Sequence, residues 1–98
     1  MDEKKLVEDE IKARLPKLTD WKLEGGKLHK LFKFKTFNQA MSFMVGVGMV
    51  CEKMNHHPEW SNVYNRVDVT LSTHDAGGVT ALDFKLAKFM DAITSAPA

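Results

Sequence analysis

The chain predicts an α+β fold of two layers, a four-stranded antiparallel sheet with three helices on one face, in the order αββαββα. Three observations lead there. Three stretches carry apolar residues at helical spacing, two turn signals each join a pair of short extended runs, and the two kinds of segment alternate as helix, hairpin, helix, hairpin, helix. Two hairpins supply four strands for one sheet. The 98 residues leave room for a single domain, 1–98, around one core.

From Asp2 to Leu15 the residues Leu6, Val7, Ile11 and Leu15 follow a helical period, and Pro16 stops it. Two extended runs, Trp21–Leu23 and Leu28–Lys35, then flank Glu24-Gly25-Gly26-Lys27, where paired glycines accept the positive φ of a hairpin turn. In the second run Phe32 and Phe34 share one face. Thr36-Phe37-Asn38-Gln39 reads as a capping box opening a helix that runs to about Met54. Along it Phe37, Ala40, Met41, Met44, Val47 and Cys51 take one side, and Phe43, Val45 and Val50 widen the stripe beyond what one sheet can cover. A second hairpin turns at Tyr64-Asn65-Arg66. The strand after it has Val67, Val69, Leu71 and Thr73 on one face and Arg66, Asp68, Thr70, Ser72 and His74 on the other. Ala76-Gly77-Gly78 breaks that strand. A last helix, from about Val79 to Thr94, carries Val79, Leu82, Leu86, Phe89, Met90 and Ile93 at helical spacing.

Composition excludes several functions. Lys and Arg number 14 against 13 Asp and Glu, so there is no basic excess for sequence-independent binding of nucleic acid. One cysteine, Cys51, cannot form an internal disulfide and suits a reducing compartment. The charged N-terminus has no secretory core, and the longest apolar stretch, residues 41–51, is too short for a bilayer. An intracellular, soluble protein is expected.

Chemistry concentrates in the histidines. Of four in the chain, His56 and His57 stand together in MNHHPEW and His74 ends LSTHD. Histidine exchanges protons near neutrality, since its unperturbed pKa is about 6.5. Two adjacent imidazoles at a helix end can also simply answer the helix dipole, and His74 can be a solvated strand residue. Metal binding by Cys51, Glu52, His56, His57 and His74 lacks every usual zinc spacing, with no CxxC, HxxxH or HExxH. Ser61, Ser72 and Thr73 lie near histidines, but no GxSxG elbow supports a nucleophile.

The run Glu52-Lys53-Met54-Asn55-His56-His57-Pro58-Glu59-Trp60, followed by NVYNRVDVTLSTHD and then Asp83, resembles the pterin-4a-carbinolamine dehydratase family. The similarity extends from about Trp21 to Ile93, and the family's αββαββα order agrees with the order read above. The resemblance implies dehydration of a 4a-hydroxytetrahydropterin to quinonoid dihydropterin in tetrahydrobiopterin recycling, by histidine acid–base catalysis without metal or cofactor, the pterin being the substrate. It implies His57 as base and His56 and His74 as general acids, with Glu52, Pro58, Trp60, Ser72, Thr73 and Asp83 lining the pterin site. Glu52 would orient a histidine or touch the pterin, and Asp83 would stand at the margin, since Thr80-Ala81-Leu82-Asp83 is itself a capping box.

Two further expectations follow. The over-apolar helix 37–54 points to a homo-oligomer, and the resemblance to a tetramer built as a dimer of dimers. Some members of the family also bind the dimerisation helices of a transcription factor, so a helix-binding coactivator module is the alternative function. Location is then cytoplasmic, and nuclear as well where that second role applies. Neither reading involves direct contact with nucleic acid or a membrane.

Overall fold

The structure, a computed structural model, describes residues 4–95. Three helices, α1 (Glu8–Arg14), α2 (Phe37–Met54) and α3 (Ala81–Thr94), accompany four strands, β1 (Lys22–Glu24), β2 (Lys27–Lys33), β3 (Glu59–Val63) and β4 (Arg66–Leu71). All pairings are antiparallel and the sheet order is β1-β2-β4-β3. The expected two-layer architecture is the observed one.

Both hairpins turn through two residues. Glu24 pairs with Lys27 across Gly25 and Gly26, whose φ values of 58° and 77° suit a type I′ turn. Val63 pairs with Arg66, so Arg66 belongs to the strand and Tyr64-Asn65 forms the turn, with Tyr64 at φ 52°. Side chains alternate as strand geometry requires. Val67, Val69, Leu71 and Thr73 are buried, while Arg66, Asp68 and His74 are exposed. Leu28 and Phe32 of β2 join the buried set, and Lys30 between them points the same way. Its ammonium reaches Asp91 Oδ1 at 2.8 Å, and the same oxygen accepts Trp21 Nε1–H at 2.9 Å.

α2 docks on this face through Ala40, Phe43, Val47 and Cys51. The Phe43 ring centre lies 4.7 Å from that of Phe32 and 5.2 Å from that of Phe34. Thr36 caps the helix by accepting Gln39 N–H at 3.1 Å. Gln39 reaches back one residue further than a capping box predicts, accepting Lys35 N–H at 2.9 Å. With Phe43 and Val47 turned to the sheet, the outward apolar residues are Phe37, Met41, Val45 and Met49, the last 71% exposed. Val47, which the helical spacing groups with Phe37 and Met41, is wholly buried against the sheet.

The first helix departs from its expected start at Asp2. Residues 1–3 lie outside the described residues, and 4–7 are not helical. Leu6 N–H donates to Val79 O at 2.8 Å, which ties this segment to the loop before α3. Val7 is extended, and Glu10 Oε1 accepts its N–H at 3.0 Å, so the helix begins at Glu8. Leu15-Pro16-Lys17 then close into a 3₁₀ turn.

Candidate active site

Hollows lie at both ends of the helices. One of ≈ 500 Å³, near the start of α2 and the end of α3, is lined by Phe34, Asn38, Gln39, Ser42, Phe43, Ile93 and Thr94. None of these titrates near neutrality. The titratable side chains gather at the other end, where α2 ends, α3 begins and β4 runs out.

The end of α2 sets the first two histidines. Asn55 takes a left-handed conformation at φ 53°, and its N–H bonds back to Glu52 O. This stops the helix. His56 N–H still donates to Cys51 O at 3.0 Å, after which the chain runs extended into β3. Adjacent residues of an extended chain face opposite ways. His56 accordingly turns inward, 7% exposed, and His57 turns outward with its side chain 58% exposed.

Asp83 receives the inward histidine. Wholly buried, it accepts from His56 Nε2 through Oδ1 at 2.6 Å, and through Oδ2 from Thr73 Oγ1 and Thr80 N–H, each at 2.9 Å. Thr73 spends its one hydroxyl proton on Asp83, so Thr80 must donate in the 2.6 Å contact between the two hydroxyls, while Thr80 Oγ1 accepts Leu82 N–H at 3.2 Å. The carboxylate, which can only accept, requires a proton on His56 Nε2. No buried side-chain N or O among the described residues lacks a partner. A half-satisfied network of this kind would be costly, and this one is complete.

His57 Nε2 stands 3.4 Å from Glu52 Oε1, both exposed, a contact long enough to steer the ring without holding it firmly. His74 opens a 3₁₀ turn, His74–Ala76, closed by Gly77 at φ 74°. Thr73 pairs with Gly78 across that turn. In the β3–β4 register Glu59 faces Thr70, so His57, two residues before Glu59, falls toward the end of β4 that leads into Ser72 and His74. A cleft of ≈ 450 Å³ opens there, with His74, Ser72, Lys27 and Lys5 among its walls.

The expected site residues are thus divided. His56, His57, His74, Glu52, Pro58 and Ser72 collect at one end of the sheet. Asp83, expected at the margin of the site, is wholly buried and hydrogen-bonds to His56, Thr73 and Thr80. Thr73 borders the cleft, but its hydroxyl is committed to Asp83. Trp60 pairs with Val69 on the inner face of the sheet and packs, partly buried, against the core. His56, expected as a general acid, is buried with its Nε2 on Asp83. The fourth histidine, His29, lies on the outer face of the sheet between Glu24 and Asp68. Lys5 and Lys27 were not anticipated. Only the register of β2 against β4, Leu28 to Leu71, brings Lys27 to this end, and no local pattern announces Lys5. Among the described residues no three His, Cys, Asp or Glu are grouped as a metal would need, and no helix is long and apolar enough to cross a membrane.

Fold and cluster together define the class, a two-layer α+β protein with three of its four histidines toward one end of the sheet. Residues 4–93 match the family model described as pterin 4 alpha carbinolamine dehydratase, and the chain belongs to that family. A protein of Mesorhizobium japonicum, provisionally named pterin-4-alpha-carbinolamine dehydratase, is 54% identical over 93 residues, covering 93% of this chain and 95% of its own. A Rhizobium meliloti protein with the same provisional name is 55% identical over 93 residues, covering 93% of this chain and 89% of its own. The crystal structure of a transcriptional coactivator/pterin dehydratase from Brucella melitensis superposes with a TM-score of 0.88 at 47% identity, covering 91% of this chain and 97% of that one. A pterin dehydratase-like RuBisCO assembly factor of the alpha-carboxysome shares the fold, with a TM-score of 0.68 at 22% identity over 81% of this chain and 94% of that one.

Proposed function

We propose that the protein dehydrates 4a-hydroxytetrahydropterins to quinonoid dihydropterins, in the recycling of tetrahydrobiopterin, by proton transfer through histidine and with no metal or cofactor. In this reaction the C4a–O bond breaks as the N5 electron pair forms the C4a=N5 bond. The hydroxyl leaves as water after gaining a proton, and N5 loses one. Two imidazoles on opposite sides of the ring supply both transfers, each worth about 10²–10⁴-fold when positioned.

His57 is the base in this reading, its ring steered by Glu52, and His74 is the acid that protonates the departing hydroxyl. His56 takes a positioning role, holding the loop that carries His57 against Asp83. The observation that carries the reading is the splitting of the histidine pair, one imidazole anchored on a buried carboxylate and its neighbour turned out toward the end of β4 that leads to His74. The test is the rate of 4a-carbinolamine loss with and without the protein, before and after chelation. No acceleration over the spontaneous reaction would end the proposal, and loss on chelation with recovery on zinc would replace it with a metal mechanism.

A homo-oligomer, a tetramer joined through α2, accompanies this function. Phe37, Met41, Val45 and Met49 recur every fourth residue, and each is between 41% and 71% exposed. Every such side chain left in water forgoes about 1.5–3 kcal/mol of burial. The same stripe supports the second reading, docking of a partner's amphipathic helix, in keeping with the coactivator description of the Brucella melitensis protein. Catalysis needs the histidines, and helix docking survives without them.

A further inference from the structure

The cleft beside His74 is cationic on a chain of formal net charge +1. Two ammonium groups and an imidazole line it, and no carboxylate does. Lys27 is answered from outside, at 2.9 Å, by Glu59 Oε1. Lys5 forms no ion pair with any described residue.

Its place there is built and not incidental. The bond from Leu6 N–H to Val79 O lays residue 5 across the backbone of Gly78. A Cβ at position 78 would stand 2.9 Å from Lys5 Cε and 3.2 Å from Cγ, so the missing side chain is the space through which the lysine stem runs. Gly78 also pairs with Thr73, one residue before His74, and the lysine therefore crosses the strand end that presents the imidazole.

We infer that Lys5 selects pterins whose ring bears an anionic substituent, a carboxylate or a phosphate. The inference rests on the dehydratase reading and adds a substrate class to it. A cation at the rim of a cleft meets what projects from the ring, while the imidazoles meet the ring itself. An exposed charge pair of this kind is worth up to about fivefold in affinity and is weakened by salt.

Fluorescence titration with stable oxidised pterins separates the possibilities. Pterin-6-carboxylate and 6-hydroxymethylpterin are similar in size and differ in charge, and the phosphate ester of the latter distinguishes phosphate from carboxylate. At low ionic strength both anionic pterins should bind about fivefold more tightly than the neutral one. Lys5→Met should bring the ratio to about one, Lys5→Arg should keep it, and Gly78→Ala should reduce it by displacing the lysine stem while every charge remains. A ratio unchanged in Lys5→Met, or equal binding of all three pterins by the native protein, overturns this inference alone. Failure of all three pterins to bind overturns the dehydratase reading and the inference with it.

Discussion

His56 Nε2 and Asp83 Oδ1 meet at 2.6 Å across 27 positions of sequence, with neither side chain more than 7% exposed. Through this one contact the loop after α2 is bonded to the first turn of α3. Asp83→Asn keeps the shape but turns one acceptor into a donor, which must then face an imidazole N–H, a hydroxyl or a backbone N–H. The expected cost is about 1–3 kcal/mol. For a chain this short that lowers Tm by roughly 4–8 °C per kcal/mol, readable by circular dichroism. An unchanged Tm would show that the network contributes nothing.

His57 and His74 should matter for rate and not for folding, since both are exposed. Either changed to Ala should cut the corrected dehydration rate by about 10²–10⁴ while leaving the unfolding midpoint in place. With one imidazole neutral and the other charged, the native rate should fall on both sides of a maximum once spontaneous dehydration is subtracted. Full activity in a variant lacking all three site histidines, or a flat profile between about pH 5 and pH 9, would contradict paired roles.

Much of this was legible in the chain because the signals are local. The alternation from Val67 to Thr73 and the cap at Thr36 depend on neighbours a few residues away, and the faces of β4 and the bounds of α2 emerged as expected. What was hidden depends on distant partners. The start of α1 is decided by a bond from Leu6 to Val79, the inward turn of Lys30 by Asp91, and the placing of Trp60 by its register against Val69. Asp83 could be read as a helix cap, but not as the anchor of His56.

On α2 the exposed stripe sharpens the oligomer test. Val45→Glu or Met49→Glu puts a charge on the exposed row and should dissociate the assembly in sedimentation velocity, with the far-ultraviolet spectrum preserved. Val47→Glu should instead unfold the chain, since Val47 is wholly buried in the core. Native protein sedimenting as a monomer of 11.1 kDa would remove the case for assembly.

The Cys51 thiol is 1% exposed, and burial pushes its pKa from 9.0 up to about 11. It should therefore stay protonated and inert to Ellman's reagent at pH 8 in the native state, then react once in urea. Because the folded value lies above the unfolded one, its contribution to stability is complete below pH 9 and disappears as pH rises toward about 11. Rapid labelling without denaturant would show the helix opening far more readily than its packing allows.

The strand order β1-β2-β4-β3 also sets a timetable. Each hairpin closes through two residues and can form by itself in about 1–10 μs. The pairing of β2 with β4, which seats Phe32 beside Val67, has to close a loop that contains the whole of α2. The slow event in refolding is then the encounter of two ribbons already made. Val67→Ala should slow refolding, whereas shortening Ile11 in α1 to Ala should mainly hasten unfolding, and the two arms of a chevron plot would separate them. A newly made chain follows the same clock: its first hairpin stays without its inner neighbour until β4 has emerged, so the middle of this small sheet is the last part of it to close.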